Sequence, residues 1–113
     1  ANRTATITTK MASGTGGYAP GELFLNASRE IGGEDVRRLL DLIRTMDFWS
    51  MPTEMPPGNS IGLDGAQWIF EAARNENYHV VDRWSPKTGH IRTLGLRLIQ
   101  NLARLPVPAD TIY

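Results

Sequence analysis

Along Thr4–Met11 (TATITTKM) apolar and polar positions alternate, with Ala5, Ile7 and Met11 on one side of a β-branched run, and a period of two predicts a strand. A second strand is predicted over Glu22–Ser28, with Leu23, Leu25 and Ala27 on one face and Phe24 on the other. The period changes after Gly32-Gly33. Val36, Leu39, Leu40, Ile43 and Met46 recur at helical spacing, behind Glu34 and Asp35 where a helix N-terminus favours negative charge. Glu34–Met46 is therefore predicted to be an amphipathic helix. Prolines between Asp47 and Asn59 forbid a regular element there, while Phe48, Trp49, Met51 and Met55 predict a loop that packs onto the body.

Alternation returns in Ala66–Ala73 and Tyr78–Trp84, which flank Asn75-Glu76-Asn77 and predict a hairpin. Ser85-Pro86 stops the second arm, and either Ser85 with Pro86 in the first turn or Thr88 caps a last helix. Its stripe is Ile91, Leu94, Leu98, Leu102 and Leu105, ended by Pro106 and Pro108. The order is ββα-ββα, which predicts one α+β domain over residues 1–113: an antiparallel sheet with two helices packed on one side.

The register of the second hairpin decides which side chains share a face, because a one-residue slip flips the whole partner strand. A three-residue turn puts Trp68, Phe70, Tyr78, Val80 and Trp84 together with Asp82, and leaves Gln67, Glu71, His79 and Arg83 on the other face beside Ile69 and Val81. A two- or four-residue turn instead joins Trp68 and Phe70 to His79, Val81 and Arg83. The first separates apolar from polar more cleanly, and Asn77 suits its left-handed position, so it is the expected register.

Composition narrows the function classes. The 113 residues suffice for a self-supporting core, since a domain of this size buries roughly two-thirds of its unfolded surface. With no cysteine, disulfides and thiolate metal sites are excluded. Twelve Lys and Arg balance twelve Asp and Glu, without the basic footprint of a dedicated nucleic-acid binder. No apolar run approaches the ~20 residues of a membrane span. The chain begins Ala1-Asn2-Arg3 without a methionine, as a processed or trimmed product would.

In the expected register Glu71 lies diagonally between His79 and Arg83, an arrangement that offers a general base beside an anion clamp. The plainer reading is a cross-strand ion pair on a solvated face, worth about a few tenths of a kcal/mol. With no nucleophile positioned by a motif and no second carboxylate at a matching spacing, the plainer reading prevails. His79 and His90 lie eleven residues apart, not a metal-ligand spacing. A thioether copper(I) site from Met46, Met51, Met55 and His79 competes with methionine's usual role as gap filler, which is preferred. Gly14-Thr15-Gly16-Gly17 lacks the lysine and following helix of a phosphate loop. No metal or cofactor is expected. Asp64, Gly65, Trp68, Arg83 and Trp84 read as a structural motif, with Arg83 as a bracket that ties the hairpin to the proline loop. Tyr18, Trp49 and Met51 are aromatic or thioether residues in loops, the composition of a protein interface.

Asp64, Gly65, Trp68 and Glu71, followed by Tyr78, His79, Val81, Arg83, Trp84, Ser85 and Pro86, form a D-G-x-x-W-x-x-E…Y-H-x-V-x-R-W-S-P pattern. This resembles an uncharacterised family of small bacterial proteins, and Phe48-Trp49-Ser50-Met51-Pro52 is similar to that family's F-W-x-L-P. The resemblance covers the larger, later part of the chain. It implies a bacterial origin and an exported or periplasmic protein whose leader has been removed. It supplies no mechanism. The expected function is a non-enzymatic module that binds another protein, immunity- or inhibitor-like, without nucleic acid or a membrane span. The alternative is a small hydrolase or ligand-binding domain using Glu71, His79 and Arg83. Oligomeric state is left open, with the edge at Thr4–Met11 available for pairing across a dimer.

Overall fold

The computed structural model describes residues 3–12, 21–54 and 65–105. Within them the chain runs β1 (Ala5–Ala12), β2 (Leu23–Ile31), α1 (Gly33–Thr45), a 3-10 turn (Phe48–Ser50), β3 (Gln67–Arg74), β4 (Asn77–Trp84), α2 (Gly89–Leu96) and a π-helical segment (Arg97–Leu102). This is the expected α+β class in ββα-ββα order. Among the described residues the strands pair as two antiparallel hairpins, β1 with β2 and β3 with β4, each a sheet of its own.

β1 alternates half-buried and exposed residues along its length, as its sequence period requires. β2 runs three residues past its predicted end, and the extension carries Ile31, 1% exposed. α1 starts at Gly32 without a side-chain cap; Glu34 and Asp35 in its first turn complement the helix dipole instead. One turn of 3-10 helix forms before the first proline of the following loop, entered through Asp47 at a left-handed φ of 55°. Thr88 takes the N-cap position of α2. The last helix changes to π geometry at Arg97, where Ala103 N–H donates to Leu98 O at 2.8 Å, and Arg104 turns left-handed at φ 58° beyond it.

The core has two adjoining parts. Met46, Phe48, Val81, Ile91 and Leu94 form one, under the second hairpin. Ile31, Val36 and Leu102 form the other, beside the first hairpin, and Leu39 and Leu98 pack against both. The Arg29 guanidinium donates from β2 to the carbonyl of Leu102, which fastens the first hairpin to the end of the last helix.

The register of the second hairpin corrects the sequence expectation. Arg74 pairs with Asn77, Phe70 with Val81 and Trp68 with Arg83, so the turn has two residues, Asn75 and Glu76. Asn75, not Asn77, supplies the left-handed position at φ 55°. Burial explains the outcome. This register sends fully buried Val81 into the core together with half-buried Trp68, Phe70 and Ala72, whereas a three-residue turn would point Val81 at solvent.

Candidate functional site

The inner face of the second hairpin aims His79 and Arg83 at the proline loop. His79 Nε2 lies 2.8 Å from the Met51 carbonyl oxygen, and its ring meets Phe48 edge-on at 5.4 Å between centroids. Four residues on, Arg83 Nη2 donates to Pro52 O at 2.8 Å, and Nη1 donates to Thr53 O at 3.0 Å and to its neighbour's carbonyl, Asp82 O, at 2.8 Å. The Asp82 N–H donates to Thr53 O at 2.7 Å, so the loop runs along the β4 edge for one backbone bond. Arg83 is thus a bracket between hairpin and loop whose loop acceptors are backbone carbonyls, groups that prolines would otherwise leave without a ladder partner.

Gly65 and Trp84 close the other end of the hairpin. Ser85, at φ 40°, accepts the Ala66 N–H on Oγ at 2.8 Å and donates its own N–H to Ala66 O at the same distance. A β-carbon on Gly65 would lie 2.5 Å from that Oγ and 2.9 Å from the Trp84 ring. Only glycine admits this approach. Asp64, Tyr18 and Met55 lie outside the described residues.

Glu71 lies apart from His79 and Arg83. It pairs with Val80 on the outer face, while His79 pairs with Ala72 and Arg83 with Trp68 on the inner one. The trio proposed for catalysis is therefore divided by the sheet. On its own face Glu71 neighbours Tyr78, whose hydroxyl is held above the ordinary phenol range by desolvation first and by the Glu71 carboxylate second. The outer face is unlike a plain solvated one: Ile69 is 54% exposed, Tyr78 62% and Trp84 39%. Gln67 Nε2 donates across it to Asp82 Oδ2 at 2.8 Å.

Trp49 and Met51 are half-buried against the hairpin rather than free in solvent. Trp49 nonetheless shows one face to a recess, where the Arg74 guanidinium carbon sits 5.0 Å from its ring centroid. Among the described residues, no group of three or more His, Cys, Asp or Glu could hold a metal ion, and no helix is long and apolar enough to cross a membrane. The sequence reading missed the outer hairpin face because it depends on the register, and missed the recess because its arginines come from three distant segments. Comparison with protein-family models, curated proteins and solved structures finds no match to this chain.

Proposed function

We propose that this chain is a non-enzymatic recognition module of a bacterial protein, acting on another protein through the outer face of the β3–β4 hairpin. The observation that carries this reading is the exposure of Ile69, Tyr78 and Trp84 on one sheet face, around half-buried Val80. Single exposed apolar residues are ordinary, but two aromatics and an isoleucine on one rigid face match the composition of interface centres. The Gln67–Asp82 hydrogen bond satisfies two of the polar groups on this face, so covering it strands fewer donors. The bacterial setting rests on the resemblance of the Asp64–Glu71 and Tyr78–Pro86 segments, and small size with zero net charge suits an immunity- or inhibitor-like protein. A hydrolase using Glu71, His79 and Arg83 lacks support from the geometry, since Glu71 faces away from the other two.

The test is capture from lysate of a bacterium encoding the chain, then reconstitution with the purified partner. A one-to-one complex that weakens by more than about tenfold in the Ile69→Ser/Tyr78→Ser variant supports the reading. A partner held equally well by that variant, or a bait that captures none, sinks it.

A further inference from the structure

A recess of about 500 Å³ lies between the C-terminal half of α1, the 3-10 turn and the tip of β3. It is separate from the outer hairpin face, because Ala72 and Arg74 reach it from the inner side of the strand. Three arginines from separate parts of the chain line it: Arg3 before β1, Arg44 in the last turn of α1 and Arg74 at the end of β3. Asp47 is the one carboxylate among the described lining residues, which gives the lining a net charge of three minus one, or plus two. Arg44 meets Asp41 only at 3.5 Å, with its side chain 80% exposed, and among the described residues no carboxylate pairs with Arg3 or Arg74. Leu40, Ile43 and Trp49 supply apolar walls.

Solvated surface arginines are commonplace and carry little by themselves. What distinguishes these is convergence from three segments on one concavity beside an indole, with Arg74 held over that indole before any ligand arrives. We propose that the recess binds a phosphate monoester carried on a flat apolar body, an aryl phosphate in its simplest form. The net charge of the lining matches the dianion, which predominates at pH 7 because the second phosphate pKa is about 6. Guanidinium forks fit phosphate oxygens in bidentate geometry. The volume falls within the roughly 300–1,000 Å³ of small-molecule sites. An aryl phosphate can arrive free or as a phosphotyrosine side chain, and the recess recognises the group the two share.

The test titrates the isotope-labelled chain with inorganic phosphate, phenyl phosphate and a short phosphotyrosine peptide, following the Trp49 indole resonance assigned through Trp49→Phe. Phenyl phosphate is expected to give a saturable shift, with inorganic phosphate weaker. The Arg44→Gln/Arg74→Gln variant is expected to bind at least about tenfold more weakly, at an unchanged melting temperature. Arg38→Gln, which alters an arginine already paired with Glu34, should bind like the parent chain. Tighter binding of the peptide assigns the source to a partner protein, and equal binding assigns it to a free small molecule. The proposal fails if no arm saturates, if inorganic phosphate binds as tightly as phenyl phosphate, or if Arg38→Gln weakens binding as much as the double variant. The double variant leaves Ile69 and Tyr78 intact, so this outcome is independent of partner binding at the hairpin face.

Discussion

Gly95 of α2 lies flat against the indole of Trp68 from β3. A β-carbon at position 95 would sit 2.9 Å from Cε3 and 3.2 Å from Cη2 of that ring, and closer still to Cζ3. Alanine at a helical glycine gains up to about 1 kcal/mol of helix propensity. Overpacking of a fitted contact costs about 1–3 kcal/mol, and the ring cannot swing away because it packs against the core under β3. Gly95→Ala is therefore expected to lower stability by about 1 kcal/mol net, a melting temperature drop of roughly 4–8 °C. Trp68→Phe removes the atoms in the way, so the double variant should lose less than the sum of the two single changes. A Gly95→Ala chain more stable than its parent would contradict this packing.

The Arg83 bracket makes a local prediction. Arg83→Met keeps the aliphatic stem and deletes the donors to Pro52 and Thr53. Both bonds are solvent-exposed, which limits the loss of stability to about 1–2 kcal/mol. The change should concentrate in the loop. Hydrogen exchange at the Asp82 amide, which donates to Thr53 O, is expected to accelerate well beyond that of neighbouring amides in the core of the hairpin. Uniform acceleration across β4 would mean that Arg83 supports the whole hairpin and not this contact.

The two-residue turn separates adjacent valines by energy. Val81→Ala empties a fully buried site and is expected to cost about 2 kcal/mol, whereas Val80→Ala at a half-buried outer position should cost less than about 1 kcal/mol. The asparagines separate the same way. Asn75→Gly relieves a left-handed residue at φ 55° and should hold or raise stability, while Asn77→Gly loosens a strand end and should lower it by about 0.5–1 kcal/mol. Chemical denaturation of the four variants gives the order, and the reverse order would restore the three-residue turn.

These positions also show how much of the molecule was legible in the sequence. Local periodicity located β1, β3, β4 and α1 closely, because each repeats its apolar residues at the period of its own geometry. It missed the three residues that carry β2 to Ile31, where Arg29 and Glu30 interrupt the pattern on the way to a core position. It misjudged the hairpin register because Trp68, Phe70, Tyr78, Val80 and Trp84 gather into one clean apolar face on paper. The fold accepts a less tidy division, since helix α2 covers the inner side and the proline loop supplies carbonyl partners for His79 and Arg83 there. That choice is made by tertiary contact and leaves no trace in the strands' own alternation. The Arg3, Arg44 and Arg74 recess was equally invisible, being assembled from segments with no mutual spacing.

The charges of α1 offer a prediction in pH. Glu34 in the first turn accepts from Arg37 Nη2 at 2.6 Å and from Arg38 Nε at 3.2 Å. The Arg37 hydrogen bond is the largest of the influences that hold the Glu34 carboxyl below its ordinary value, with the Coulombic pull of both arginines adding to it. A carboxylate depressed in the folded state contributes stability that is fully present above its unfolded value and is lost as pH falls through the folded one. The helix start should therefore loosen only in acid, below the ordinary carboxylate range, with no change near neutrality. Following the Glu34 carboxyl carbon by NMR, Arg37→Gln is expected to move its titration upward toward the ordinary value, and Arg38→Gln to move it less. Molar salt, which shortens the screening length to about 3 Å, should shrink the same depression in the parent chain. Glu34 titrating identically in the parent and in Arg37→Gln would show that these contacts are not kept in solution. The pairing also bears on the recess, because Arg37 and Arg38 are engaged along their own helix by Glu34 and Asp41 while Arg3 and Arg74 have no such carboxylate among the described residues. Of the arginines that line the recess, Arg44 shares Asp41 with Arg37, which leaves Arg3 and Arg74 as the two without a carboxylate partner among the described residues.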